Sequence, residues 1–185
     1  MVNKDDYIFN HRVGGWGGDD FGDSLWRGKP VTEVEVWYGR AWDADYTVLK
    51  GLNVHWGNEQ SGLRGSAPPD ALHTSYSFAP GERVHWMDLY GAPPDSGGRV
   101  DALRFEANNP FAAGGPGGRQ THENPGNHVF HGFVGKGHAD IDSLGAVFHK
   151  EAGFRFPDAI LLVFRRYGAL QGVDDLNSGN LSVLG

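Results

Sequence analysis

Residues 14–21 read Gly14-Gly15-Trp16-Gly17-Gly18-Asp19-Asp20-Phe21, and residues 135–145 read Gly135-Lys136-Gly137-His138-Ala139-Asp140-Ile141-Asp142-Ser143-Leu144-Gly145. The first stretch carries two glycine doublets, which free the backbone for positive φ and let a ligand approach the main chain closely. The second supplies a turn, an acidic side chain and the start of an apolar strand. A carboxylate on a tight turn offers several acceptor positions to a polyhydroxylated ligand. Brought together, the two loops would form a small, shallow, polar site lined by backbone amides and one fixed aspartate.

Strand-like segments surround these loops, and helical periodicity is absent. Val34, Val36 and Tyr38 alternate with Glu33, Glu35 and Trp37, the pattern of a half-buried strand. Residues 101–106 repeat it, with Leu103 and Phe105 inward and Arg104 and Glu106 outward. Further strands are expected over 129–134 and 141–148, and the continuous apolar run 159–164 reads as a strand buried on both faces. Turn clusters at 67–70, 79–82 and 92–95 and a long turn-rich stretch from Asn108 to Asn127 separate these pieces. Short strands at this spacing predict an all-β sandwich, barrel or prism of antiparallel sheets. We expect one domain over 1–150, with a C-terminal strand and a polar tail (168–185) making up 151–185 as an extension.

Composition narrows the function. The chain has 185 residues, and its 29 glycines are about twice the usual ~7%. They accompany 12% aromatic residues, so this is not a glycine-rich disordered tract without core formers. A net charge of −7 argues against nucleic acid, whose phosphates call for a basic face. The absence of cysteine excludes disulfides and thiolate chemistry. Residues 1–6 lack the apolar centre of a signal peptide, and no apolar run approaches the ~20 residues of a membrane span. A cytoplasmic location is the expectation.

A weak internal repeat is also visible. Gly97-Gly98-Arg99-Val100-Asp101-Ala102-Leu103 parallels residues 138–144, and Gly28-Lys29-Pro30-Val31-Thr32-Glu33-Val34 reads as a looser third copy. Three copies suggest pseudo-threefold symmetry, against the alternative of chance resemblance among turn-strand units.

With these pieces in order, the chain from about Val13 to about Phe148 resembles the jacalin-related lectins. The resemblance rests on Gly14 to Gly18 with Phe21 and Asp23, on Gly81-Glu82, on Val100 to Phe105 with Asn108-Asn109, on Gly115 to Gly118, and on Gly132 to Gly135 leading to Asp142 to Gly145. It implies a β-prism of three antiparallel Greek-key sheets with pseudo-threefold symmetry, which binds saccharides without metal, cofactor or catalysis. Carried over by position, Gly18, Ala139 and Asp140 would give backbone amides, and Asp142 would accept from two sugar hydroxyls. Charge-assisted bonds of that kind are roughly twice as strong as neutral ones.

Trp16, Gly17 and His138 are expected contributors. His138 stands where the family has glycine, which would cost something if that position needs positive φ. A second site is expected at Gly97 and Asp101 with Gly117 and Gly118 as its glycine partner, whereas the Gly28 copy has Thr32 in place of the acid and should be inert. In such lectins galactose preference accompanies a cleavage that frees a glycine amino group at the site; no processing signal is evident, so mannose or glucose is expected. The expected partners are mannose-containing oligosaccharides or glycoproteins. With millimolar monosaccharide affinity, several sites or a homo-oligomer would supply avidity.

Competing readings are weaker. Asp140 and Asp142 as a glycosidase pair would need carboxylates roughly 5–10 Å apart across a bound sugar. His128 and His131 fall on opposite faces of a strand, so joint metal ligation is not expected. The remaining tryptophans read as core or sheet-face residues.

Overall fold

The computed structural model describes residues 1–151. The strand expected at 159–164 and the tail at 168–185 lie outside the described residues. Among the described residues, apart from a 3-10 turn at Lys4–Asp6, the regular structure is entirely strand: β1 Tyr7–Phe9, β2 Val13–Gly14, β3 Asp19–Asp20, β4 Glu33–Arg40, β5 Thr47–Trp56, β6 Glu59–Gln60, β7 Arg64–Gly65, β8 Leu72–Ser77, β9 Trp86–Gly91, β10 Val100–Glu106, β11 Pro110–Gly114, β12 Arg119–His122, β13 Phe130–Gly137 and β14 Ile141–His149.

These strands form three antiparallel sheets, each built on a central hairpin. Sheet I runs β8-β4-β5-β6 with β7 also on β5, and sheet II runs β12-β9-β10-β11. Both follow the Greek-key order, in which the last strand returns beside the first. Sheet III runs β3-β13-β14-β1 with β2 also on β14, so the N-terminal strands complete the sheet begun by the C-terminal hairpin. The architecture is the β-prism with pseudo-threefold symmetry.

Alternation explains why these segments pair. Val34 and Val36 of β4, Leu103 and Phe105 of β10, and Phe133 of β13 are fully buried. Glu33, Glu35 and Trp37 sit half-buried on the outer face of β4. The inward side chains of all three sheets meet in one core, where Phe105 stacks between Phe78 and Phe111. Burying a side chain of that size stabilises by about 1.5–3 kcal/mol.

The symmetry is visible in equivalent hydrogen bonds. The Gly15 amide donates to the Asp142 carbonyl (2.7 Å), the Gly115 amide to the Asp101 carbonyl (2.9 Å), and the Ser66 amide to the Lys50 carbonyl (2.8 Å). The third copy is therefore centred on Lys50, not on the Gly28–Val34 segment. The reason is topological: Asp101 and Asp142 each stand second in the second strand of a central hairpin, and Lys50 stands fourth in β5, the second strand of its own hairpin, whereas Gly28 precedes the first strand. The stretch 108–127 also departs from expectation, since it contains β11 and β12.

Candidate functional site

Asp142 is the second residue of β14, close to the hairpin turn from β13. Only 9% exposed, its carboxylate faces the glycine loop between β2 and β3. A Cβ placed on Gly17 would lie 2.9 Å from Asp142 Oδ1, and one placed on Gly18 would lie 2.5 Å from Oδ2. Gly18 also has φ +76°, a conformation that side chains other than glycine's adopt with strain. These two constraints explain why the loop is written in glycine.

The loop is held from outside. The Gly14 amide donates to the Ala92 carbonyl (2.9 Å), and Gly15 reaches the Gly98 carbonyl (3.2 Å) as well as that of Asp142. The Trp16 amide donates to Ser96 (3.0 Å). By contrast, the amides of Gly18, Ala139 and Asp140 have no backbone acceptor among the described residues. Donors and a carboxylate thus line the floor of an open cleft of about 430 Å³, whose sides include Trp16, Trp42, Arg99 and His138.

Asp140 plays a different part from its neighbour. Its side chain is 1% exposed and forms a close ion pair with Lys50 Nζ. Arg99 Nε lies 3.0 Å from Asp140 Oδ2 without hydrogen-bond alignment, and the Trp42 amide donates to that same oxygen (3.2 Å). Arg99 continues to Asp43 (3.1 Å) and to the Tyr46 hydroxyl (3.2 Å). Lys50 also donates to the Arg40 carbonyl (2.9 Å), and Ser66 Oγ donates to the Ala139 carbonyl (2.6 Å). One buried carboxylate therefore ties together loops from all three sheets.

Asp140 and Asp43 balance Lys50 and Arg99, which leaves Asp142 as the acid that faces the cleft. Burial raises its pKa above the usual carboxylate value; Arg99 opposes the rise and Asp140 adds to it.

The predicted residues fall as follows. Gly17, Gly18, Trp16, His138, Ala139, Asp140 and Asp142 all line this cleft. Trp16 is 66% exposed, so it stands free to meet a ligand. His138 does not take positive φ; among the described residues His128 is the non-glycine that does, at 70°. Replacing glycine at 138 therefore costs no backbone strain.

The second site divides. Asp101 is buried and cradled like Asp142, with a Cβ on Gly117 falling 2.8 Å from Oδ2 and one on Gly118 falling 2.9 Å from Oδ1. Burial raises its pKa as well. Gly97, however, does not join that site. It lines the first cleft beside the Trp16 ring, because its loop folds over towards β2. The Gly98 amide is taken by Ser96 Oγ (3.2 Å), and the Ser96 and Gly98 carbonyls serve the first glycine loop. At the third position Lys50 replaces the acid altogether.

Two cleft residues escaped the sequence reading. Trp42, expected in a core or on a sheet face, is 68% exposed on the turn between β4 and β5. Its flanks, Ala41 before and Asp43-Ala44-Asp45 after, were the available signal. A tryptophan among small and acidic turn residues has no apolar neighbours to pack with. Arg99 carried no comparable signal.

Residues 11–147 match the family model described as a jacalin-like lectin domain. No curated protein matches the chain. Among solved structures, a lamprey immune protein is similar with a TM-score of 0.63 at 21% identity, covering 81% of this chain and 46% of that one. This chain thus spans under half of the lamprey protein. A mannose-binding lectin from champedak is similar with a TM-score of 0.58 at 21% identity, over 82% of this chain and 100% of the other. Malaysian banana lectin is similar with a TM-score of 0.59 at 18% identity, over 78% and 99%.

Proposed function

Because this chain belongs to the jacalin-like lectin domain family, a family of carbohydrate-binding proteins, we propose that it binds mannose- or glucose-type glycans in the Asp142 cleft, without metal and without catalysis. The observation that carries the reading is the Asp142 carboxylate held against Gly17 and Gly18 beside the open amides of Gly18, Ala139 and Asp140. The carboxylate accepts from two adjacent hydroxyls, while the amides donate to ring and hydroxyl oxygens. Trp16 and Trp42 offer apolar faces to the C–H surface of the sugar, and His138 reaches the rim. A glycosidase would need a second free acid, but Asp140 is neutralised by Lys50 and Arg99.

Two points favour mannose or glucose over galactose. Gly18 is an interior residue of the chain and presents an amide rather than an amino group. The champedak relative, by its name, binds mannose. Asp101 is a second candidate site on this reading, since Gly117 and Gly118 cradle its carboxylate as Gly17 and Gly18 cradle that of Asp142.

Titration with methyl α-mannoside and a glycan array test the proposal. Asp142→Asn should weaken mannoside binding at least tenfold, equivalent to ~1.4 kcal/mol, with thermal unfolding unchanged. Binding by the native chain that survives the substitution would refute this site. A second reading, a targeting or protein-interaction module, is favoured by the lamprey protein, in which the matched prism is part of a longer chain. A native chain silent across the array would support that reading instead.

A further inference from the structure

The outer face of sheet I carries a cluster remote from the cleft. Glu33 and Glu35 project from the same face of β4, with His55 on β5 to one side and His73 on β8 to the other. His55 Nε2 lies 2.7 Å from Glu35 Oε2 and 3.9 Å from Glu33 Oε1. The ligand atoms of Glu33, Glu35 and His55 all lie within 4.8 Å of one another. Among the described residues neither glutamate pairs with a lysine or arginine; histidines are their nearest basic partners. Two carboxylates therefore converge on one imidazole with no permanent positive charge to offset them.

From this geometry we propose that Glu33, Glu35 and His55 bind one divalent transition-metal ion of the zinc type. Metal–ligand bonds of about 2.0–2.2 Å in a tetrahedral site put ligand atoms about 3.4 Å apart. The separations of 2.7 and 3.9 Å from His55 bracket that value, so small side-chain rotations suffice. Without metal, a proton on His55 Nε2 accounts for the short contact with Glu35; the ion takes that proton's place.

Outer partners are already in position. His73 Nε2 lies 3.1 Å from Glu35 Oε1, and Asn53 Nδ2 donates to Glu35 Oε2 (2.8 Å). Such contacts orient a ligating carboxylate. The His73 ring is fixed in turn against Trp37, their centroids 4.6 Å apart. The fourth coordination position faces solvent and takes water. The cluster lies roughly 20–25 Å along β4 from the Trp42 turn, so it acts independently of the saccharide cleft.

Isothermal titration of the full chain with zinc chloride tests this. One equivalent should bind saturably, and His55→Ala and Glu35→Gln should each weaken it at least tenfold. His73→Ala should weaken it less, and His122→Ala, on sheet II, should leave it unchanged. All four positions are on sheet surfaces, and thermal melts verify that each variant folds. No saturable binding up to millimolar zinc, or an affinity unchanged by His55→Ala or Glu35→Gln, would overturn the proposal.

Discussion

Asp140 and Asp142 stand two positions apart and have opposite fates. Sequence reading placed both in the cleft, because the turn and glycine spacing are local. It gave Asp140 a backbone amide and Asp142 the accepting carboxylate, but no part to the Asp140 side chain, because Lys50 and Arg99, which claim that carboxylate, lie far away in the chain. Asp140→Asn should destabilise the fold by about 3–5 kcal/mol, since it leaves buried cations without their partner; urea denaturation measures this. The raised pKa of Asp142 has a separate consequence. Hydroxyl binding needs the ionised form, so mannoside affinity should fall on acidification at a pH above the ordinary aspartate value of about 3.9. Titrations from pH 7 down to pH 4 follow that loss. An affinity constant across this range would refute the role of the carboxylate.

Elements legible in advance were β4 and β10, by their alternation, and β13 and β14, which also read as strands. The two strands within 108–127 were not. β11 begins at Pro110 and ends at Gly114, which read as turn residues, and β12 is the polar run Arg119–His122. Both are edge strands of sheet II, formed because β10 and β9 offer them partners, and pairing of that origin leaves little mark on composition. Just past β12, Glu123 joins two sheets. Its amide donates to the Met87 carbonyl (2.9 Å), and its carboxylate accepts from the Ala146 amide (2.9 Å).

Burial, with some help from Asp88 and against the Ala146 hydrogen bond, raises the pKa of Glu123 from 4.5 to about 7. The folded value exceeds the unfolded one, so this group's contribution is fully present below pH ~4.5 and is lost as pH rises towards ~7. The loss amounts to roughly 3 kcal/mol at most. Glu123→Gln keeps an acceptor for Ala146 and abolishes the titration. It should raise the melting temperature at pH 8 more than at pH 5, and equal shifts would exclude the buried acid as the cause.

Across the whole molecule the three positions related by the prism axis are unequal: a carboxylate lining the cleft at 142, one cradled by Gly117 and Gly118 at 101 and a lysine at 50. The repeat was legible through Asp101 and Asp142, but its third member was misplaced because Lys50 shares no residue type with them. A lone monosaccharide site of about millimolar affinity provides only ~4 kcal/mol. If Asp101 also binds, titration should give a stoichiometry above one that Asp101→Asn reduces to one. A value of one in the native chain would restrict binding to the first cleft and leave avidity to self-association.

The ion pair from Lys50 to Asp140 makes the asymmetry self-reinforcing. The lysine copy is a strut beneath the Asp142 copy, so restoring symmetry with Lys50→Asp would set two acids face to face under the cleft floor. A design meant to add a third binding position would instead undermine the first.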